Sequence, residues 1–228
     1  MSVGRRILRG VRSLLDLALP AVCGGCGTPL PPPSGGALCR ECRDVLRDVP
    51  ARVSPRVDPG VPVWALGRYR GVHRGVVVAA KEHGRRDLAA PLGAALARAL
   101  LDLYGWGELD PSAPVCLVPA PTRAAAARRR GGDPVTAAAV AAVGGDRVCR
   151  ALRTSFAARD SVGLSPAARR ANLERWVRVD RRALRSRAPG SVVLVDDVLT
   201  TGATAAVSVR RLAAAGVGVA AILVVAAV

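Results

Sequence analysis

Apolar positions along the chain recur with two periods, and the switching between them outlines a fold. Near the N-terminus, Ile7, Leu8, Val11, Leu14, Leu15 and Ala18 fall at helical spacing with arginines on the other face. That is the pattern of a helix docking one side, and a helix lying on a membrane surface shares it. From Val63 onward, short apolar runs alternate with longer amphipathic stretches. Val63-Trp-Ala-Leu-Gly-Arg-Tyr69 reads as a strand or hairpin arm, residues 73–82 and 88–103 as helices, and Pro114-Val-Cys-Leu-Val-Pro119 as a buried strand. Asp133-Pro134 and Ser165-Pro166 each start a helix, with a capping side chain followed by proline at the first helical position. Residues 147–153 read as a short strand and Val192–Val195 as a continuous apolar one. Thr204–Ala215 reads as a helix ended by Gly216, and 217–227 as a last strand. Strands that are apolar on both faces and alternate with helices predict an α/β fold, a parallel sheet with helices on both faces.

The stretch from residue 50 to 62 holds four prolines and little apolar content, which places a domain boundary there. An N-terminal helix and cysteine module would occupy residues 1–50, and the α/β domain residues 63–228. A chain of 228 residues can bury a core for both, and a hydrophobic content of 50% excludes a disordered protein. No run reaches the ~18 unbroken apolar residues of a membrane span. The closest, Val217–Val228, is short and β-branched, as in a buried strand. Arg5 and Arg6 before an apolar stretch raise a signal peptide, but Arg9, Arg12 and Asp16 interrupt it and Pro20-Ala-Val-Cys23 is a poor cleavage site. The expected location is the cytoplasm. The net charge of +17, from 34 basic and 17 acidic residues, has two readings. One is a polyanionic partner such as nucleic acid, nucleotide or polyphosphate; the other is an arginine-rich composition with Lys81 as the only lysine.

The densest chemistry lies in Ser191-Val-Val-Leu-Val-Asp-Asp-Val-Leu-Thr-Thr-Gly-Ala-Thr204. Four apolar residues lead to two adjacent acids, and a small hydroxyl-rich turn then precedes a helix. Ligands of open α/β sheets bind at the carboxyl edge, and N–H groups at a helix start together with threonine hydroxyls cradle phosphate. Two acids beside a phosphate repel it unless they meet hydroxyls or a metal, and a sugar diol satisfies both. These residues resemble the fingerprint of the type I phosphoribosyltransferases. The resemblance implies a ligand, phosphoribosyl pyrophosphate bound with Mg²⁺. Asp196 and Asp197 would hold the ribose hydroxyls, and Thr200, Thr201, Gly202, Ala203 and Thr204 the 5′-phosphate.

Such a donor needs a second anion loop. Leu117-Val-Pro-Ala-Pro-Thr-Arg123 ends a strand in a rigid turn, with Arg128, Arg129 and Arg130 following; Arg123 is the candidate pyrophosphate contact, and a solvated basic turn is the alternative. Lys81, at the end of a helix, could reach a phosphate or complement the helix dipole. His73 and His83 read as surface or helix-end residues. Residues 155–172 open polar and then turn helical, as in a lid over a reacting sugar or an ordinary loop.

Cys23-Gly-Gly-Cys26 and Cys39-Arg-Glu-Cys42 form two C-x₂-C knuckles separated by twelve residues. Glycines after Cys23 and Cys26 suit the tight backbone that thiolates on one metal require, which favours structural Zn²⁺. Disulfides and a redox pair are the competing readings. Cys116 and Cys149 read as inert core thiols. A Cys₄ module ahead of this domain is similar to the layout of the ComF family of competence-associated proteins. The likeness includes Leu14-Leu-Asp-Leu17, Lys81 with Gly84-Arg-Arg-Asp87, Val118-Pro-Ala-Pro121, and Gly163-Leu-Ser165 with Arg169 and Asn172. It departs at Arg130-Gly-Gly-Asp-Pro134 and at Glu174-Arg-Trp176. The resemblance implies either phosphoribosyl transfer to a nucleobase-type acceptor or a competence factor contacting single-stranded DNA or a helicase. With an aromatic content of 3%, any DNA contact is expected mainly at phosphate.

Overall fold

The computed structural model describes residues 21–31, 36–122, 132–154, 176–185 and 190–228. The expected N-terminal helix, Arg123, Arg128–Arg130, the 155–172 lid and the helix at Ser165-Pro166 lie outside them.

Strands β1 (Ala51–Arg52), β2 (Val63–Ala65), β3 (Val115–Pro119), β6 (Ser191–Leu199) and β7 (Ala221–Ala227) form one sheet in the order β1-β2-β7-β6-β3. β2, β7, β6 and β3 run parallel, and β1 is antiparallel at the edge beside β2. β4 (Leu152–Thr154) and β5 (Val177–Val179) make a separate antiparallel ribbon. The helices are α1 (Arg40–Leu46), α2 (Gly71–Lys81), α3 (Ala89–Gly105), α4 (Pro134–Val143), α5 (Arg181–Arg185) and α6 (Ala203–Ala213). The α/β reading therefore stands, with a mixed, mostly parallel sheet.

Each face of the sheet has its own core. On one, Val193, Val195, Leu223 and Val225 meet α2, α3 and α4 through Val76, Leu92, Leu96 and Ala138. On the other, Leu194, Ile222 and Val224 meet α6 and the β4–β5 ribbon through Val207, Leu212, Leu152 and Val177. Central strands buried on both sides are why their sequences run as continuous aliphatics rather than alternating. With its lead-in turn, α3 spans Arg86–Gly105 and is apolar enough, by length and composition alone, to cross a membrane. Here Leu88, Leu92, Leu96, Leu100 and Leu103 fill the core.

The cysteine module shares that first core. Cys23, Leu38, Cys42 and Leu46 are buried together with Leu88 and Leu92. The junction depends on missing side chains. A Cβ on Gly75 of α2 would stand 1.9 Å from the Gly25 carbonyl oxygen, and one on Gly24 would stand 2.9 Å from Leu88. The Arg85 guanidinium donates to the Val22 carbonyl at 2.9 Å while gripping Asp87 at 2.7 Å. Part of the Gly84-Arg-Arg-Asp87 motif thus anchors the first knuckle to the α/β body. The proline-rich stretch after residue 50 is also built in: β1 extends the sheet, and the Val57 amide donates to the Thr201 carbonyl at 2.9 Å.

Candidate functional site

β3 and β6 are neighbours, yet the chain leaves them towards opposite faces. After β3 it goes to α4 in the first core, and after β6 to α6 in the second. Loops that diverge in this way open a crevice at the carboxyl ends of the two strands, the place where open α/β sheets take ligands. β3 stops at Pro119, opposite Val195, whereas β6 runs on to Leu199 with, among the described residues, only β7 paired beside it. Asp196 and Asp197 occupy this overhang. They lie inside the strand, not after it as the apolar run predicts, because β7 keeps pairing as far as Leu199↔Ala227.

The overhang is twisted. Val195 and Val198 pack on the same core, and Leu194 and Leu199 on the other, so the alternation of faces slips by one position at the two acids. The carboxylates take up the disturbed amides. Asp196 Oδ1 accepts from the Asp197 N–H, and Asp197 Oδ1 from the Val198 N–H, both at 2.8 Å. The Lys81 ammonium, at the end of α2, lies 2.7 Å from Asp197 Oδ2. Lys81 therefore reaches the site, which the helix-dipole reading alone would not require.

Burial, reinforced by the negative charge of Asp197, raises Asp196 from the ordinary carboxylate value to about 8. The folded chain then keeps a proton that the unfolded chain gives up above about pH 4. This group's stabilisation is complete at low pH and is lost as pH rises towards that raised value. Asp196→Asn cannot ionise and is expected to remove the decline. Its melting temperature should exceed that of the wild type by several degrees at about pH 8.5, and the gap should narrow towards about pH 4. Melting curves across that range test this, and a gap independent of pH would contradict it.

Beyond Leu199, Thr200 and Thr201 are exposed and Gly202 is buried. Gly202 caps α6 with φ 83°, in the left-handed region, and a Cβ there would meet the Val57 oxygen at 2.5 Å. The residue must be glycine on both counts. The Ala206 amide bonds the Gly202 carbonyl, and the Ala203 amide approaches Thr201 Oγ1 at 3.4 Å. The N–H groups of Thr204 and Ala205 fall in the first turn, where a helix supplies no partner, beside two exposed threonine hydroxyls. That arrangement suits an anion. Sequence reasoning missed the brace formed by Pro55 and Val57, because prolines there read as a linker.

On the β3 side, Thr122 Oγ1 donates to Asp133 Oδ1 at 2.9 Å, and Asp133 Oδ2 accepts from the Thr136 amide at 3.0 Å. Asp133 thus caps α4, as expected, and also holds Thr122 to the start of that helix. Arg123 itself lies outside the described residues. His83 is exposed. His73 is in the first turn of α2 but buried against Gly67, a correction to the surface reading. Burial lowers its pKa from the ordinary imidazole value.

The second cluster is the cysteine module. The Sγ atoms of Cys23, Cys26, Cys39 and Cys42 all lie within 4.8 Å of one another, and they could hold one metal ion. All four are free thiols in this structure. Gly27, at φ 77°, makes the tight turn expected after Cys26. Burial opposes a charge on Cys23, but amides from the knuckle and from Cys39 outweigh it and bring the thiol down to about 6. Burial and the adjacent sulfurs push Cys42 up. Four clustered sulfurs, one of them on a thiol held low, are a donor set for a cation. Cys116 and Cys149 are buried in the other core, away from this cluster; Cys116 lies in β3 as expected, whereas Cys149 lies ahead of β4 and not in a strand.

Set beside known proteins, the chain matches no family model and no curated protein.

Proposed function

We propose that the chain binds the ribose 5-phosphate part of phosphoribosyl pyrophosphate in the crevice between β3 and β6, on a type I phosphoribosyltransferase-like fold. The observation that carries this reading is the placement of two acids on the β6 overhang immediately before an anion-suited turn, where two neighbouring loops part. Sugar and phosphate need different partners a few ångströms apart, and this segment offers both.

In this reading the 5′-phosphate sits on Thr200–Thr204, with the amides at the start of α6 and the threonine hydroxyls around it. The ribose hydroxyls donate to Asp196 and Asp197, so Asp196 gives up its proton as the sugar arrives. Lys81, held beside Asp197, contributes positive charge where the ligand's phosphates approach. Arg123 is the proposed contact for the pyrophosphate. Mg²⁺ bound with the ligand supplies neutralisation of the leaving pyrophosphate. The protein's part is positioning and electrostatics: it fixes the anomeric carbon while an acceptor nitrogen displaces pyrophosphate. The acceptor is of nucleobase type, and the ComF-like layout supports the assignment.

For the cysteine cluster we propose structural zinc. Tetrahedral zinc with bonds of about 2.3 Å sets its sulfurs about 3.8 Å apart; Cys26 Sγ and Cys39 Sγ are 3.9 Å apart. Metal analysis should find one zinc per chain. Because the knuckles share the main core, a strong chelator should lower the melting temperature of the whole protein in a single transition. A chain that melts identically with and without chelator would exclude the role.

The ligand reading is tested by calorimetric titration with phosphoribosyl pyrophosphate and Mg²⁺, followed by pyrophosphate release across a panel of nucleobases. Saturable binding with one site per chain is the expected result. Absence of heat and of thermal stabilisation at millimolar ligand would overturn it.

A further inference from the structure

Lys81 is the last residue of α2 and the only lysine in the chain. Final helical turns fray when nothing outside them supplies a hold, and a lysine carries its charge on a flexible four-carbon stem. Lys81 shares the lining of a small cavity with Val77, Leu92 and Leu96, and apolar contact of that kind is not directional. The ammonium nevertheless stands 2.7 Å from Asp197 Oδ2, so its aim comes from the backbone that carries it. That backbone is fixed to the cysteine module on either side of Lys81. Before it, Gly75 lies against the Gly25 carbonyl, too close for any Cβ. After it, the Arg85 guanidinium donates through Nη1 to the carbonyl of Val22, the residue ahead of Cys23. Asp87 takes Nε and Nη2 of the same guanidinium as a bidentate pair, at 2.9 and 2.7 Å, which leaves Nη1 for Val22. The turn between Lys81 and Arg85 is closed. Gly84 takes φ 62°, and the Arg85 amide donates back to the Ala79 carbonyl at 3.1 Å. Arg85 thus grips the module with its side chain and the end of α2 with its backbone.

We propose that Arg85, anchored on the first cysteine knuckle, is a positioning residue that sets Lys81 against the acid pair. The consequence for a ligand rests on the reading of that pair as a ribose 5-phosphate site; the position of Lys81 rests on the contacts alone. Knuckle, Arg85 and Lys81 form one line of contact from the cysteine module to Asp197. The module then does more than close the core over Leu88: it decides where the chain's one ε-ammonium stands before a ligand arrives. A phosphoribosyl ligand meets a lysine already in place, and little side-chain freedom is lost in recruiting it.

A single lysine makes the test direct, because an amine reagent reports Lys81 alone among the side chains. Acylation by acetic anhydride, followed at Lys81 by mass spectrometry, is run on the whole chain and its variants. Arg85→Ala should acylate about threefold faster or more, the scale expected when one partly exposed ion pair is lost. Arg86→Ala removes an exposed neighbouring charge of the same sign and should acylate like the wild type. Equal rates in all three would overturn the proposal. So would equal acceleration in both variants, which would trace the effect to net charge. Titration with phosphoribosyl pyrophosphate and Mg²⁺ gives the second readout. Arg85→Ala should bind about fivefold more weakly, whereas on a Lys81→Met background the same change should add nothing. Losses that simply add would mean that Arg85 acts on the ligand or on the fold at large, and would overturn the proposal. Acylation needs no ligand, so it decides the position of Lys81 even where the wild type binds no phosphoribosyl pyrophosphate, a result that falls on the ligand reading alone.

Discussion

Gly75→Ala is expected to destabilise the protein by about 2 kcal/mol or more, although alanine is the better helix former by about 1 kcal/mol. The added methyl would stand 1.9 Å from the Gly25 carbonyl oxygen. That oxygen is backbone, in a knuckle held by the four cysteines and by the contact of Arg85 with Val22, so it has little room to retreat. Either α2 moves out or the knuckle does, and both uncover Leu88 and Cys42. Gly105→Ala at the end of α3 is the matched control, because a Cβ there meets nothing within 4 Å. Chemical denaturation of the two variants should separate them clearly. Equal stabilities would mean that the knuckle is not seated against α2.

The second large effect is expected at the ligand. Asp196→Asn with Asp197→Asn keeps an oxygen where each carboxylate now caps an amide, so the fold should survive. It removes the two charged acceptors proposed for the ribose hydroxyls, each worth about 1.5–3 kcal/mol when donor or acceptor is ionised. Affinity for phosphoribosyl pyrophosphate should fall at least about 100-fold. Two effects oppose the loss: repulsion between acid and phosphate disappears, and Lys81 turns to the ligand without its carboxylate partner. Both act on the phosphates, so inorganic pyrophosphate should bind the variant as well as or better than the wild type. Titration with both ligands makes the distinction. Undiminished affinity for the phosphoribosyl ligand would put the ribose elsewhere.

Much of the sheet is legible in the sequence, because a strand covered on both sides must be apolar at every position; Val115–Pro119 and Val192–Val195 declare themselves for that reason. The cap at Asp133-Pro134 is equally legible, being local chemistry. What escapes is set by distant partners. Aspartates are poor strand formers, yet β7 carries β6 four residues past its apolar run, from Asp196 to Leu199. The expected strand at 147–153 gives way to a 3-10 turn ending at Arg147, a lone bridge from Val148 to Leu117, and β4 at Leu152–Thr154. The prolines near residue 55 look like a linker until Val57 is seen against Thr201. Within the site, the acids and the threonine turn are local and readable. The convergence of Lys81 on Asp197 is a packing outcome that no spacing of residues 81 and 197 could reveal.

The overhang of β6 has one more consequence. A strand that outlasts its neighbour offers bare amides to any other chain, which is how sheets join edge to edge into aggregates. Amides alternate sides along a strand. The Val195 carbonyl meets the Ala120 amide on the β3 side, whereas the Leu199 carbonyl meets the Val228 amide on the β7 side, so the alternation is broken between them. In that break the Asp197 amide is taken up by the Asp196 carboxylate and the Val198 amide by the Asp197 carboxylate. The acid pair proposed to meet a sugar also leaves this rim fewer free amides for a foreign strand, so the protein can keep a gap in its sheet without that gap becoming a seam.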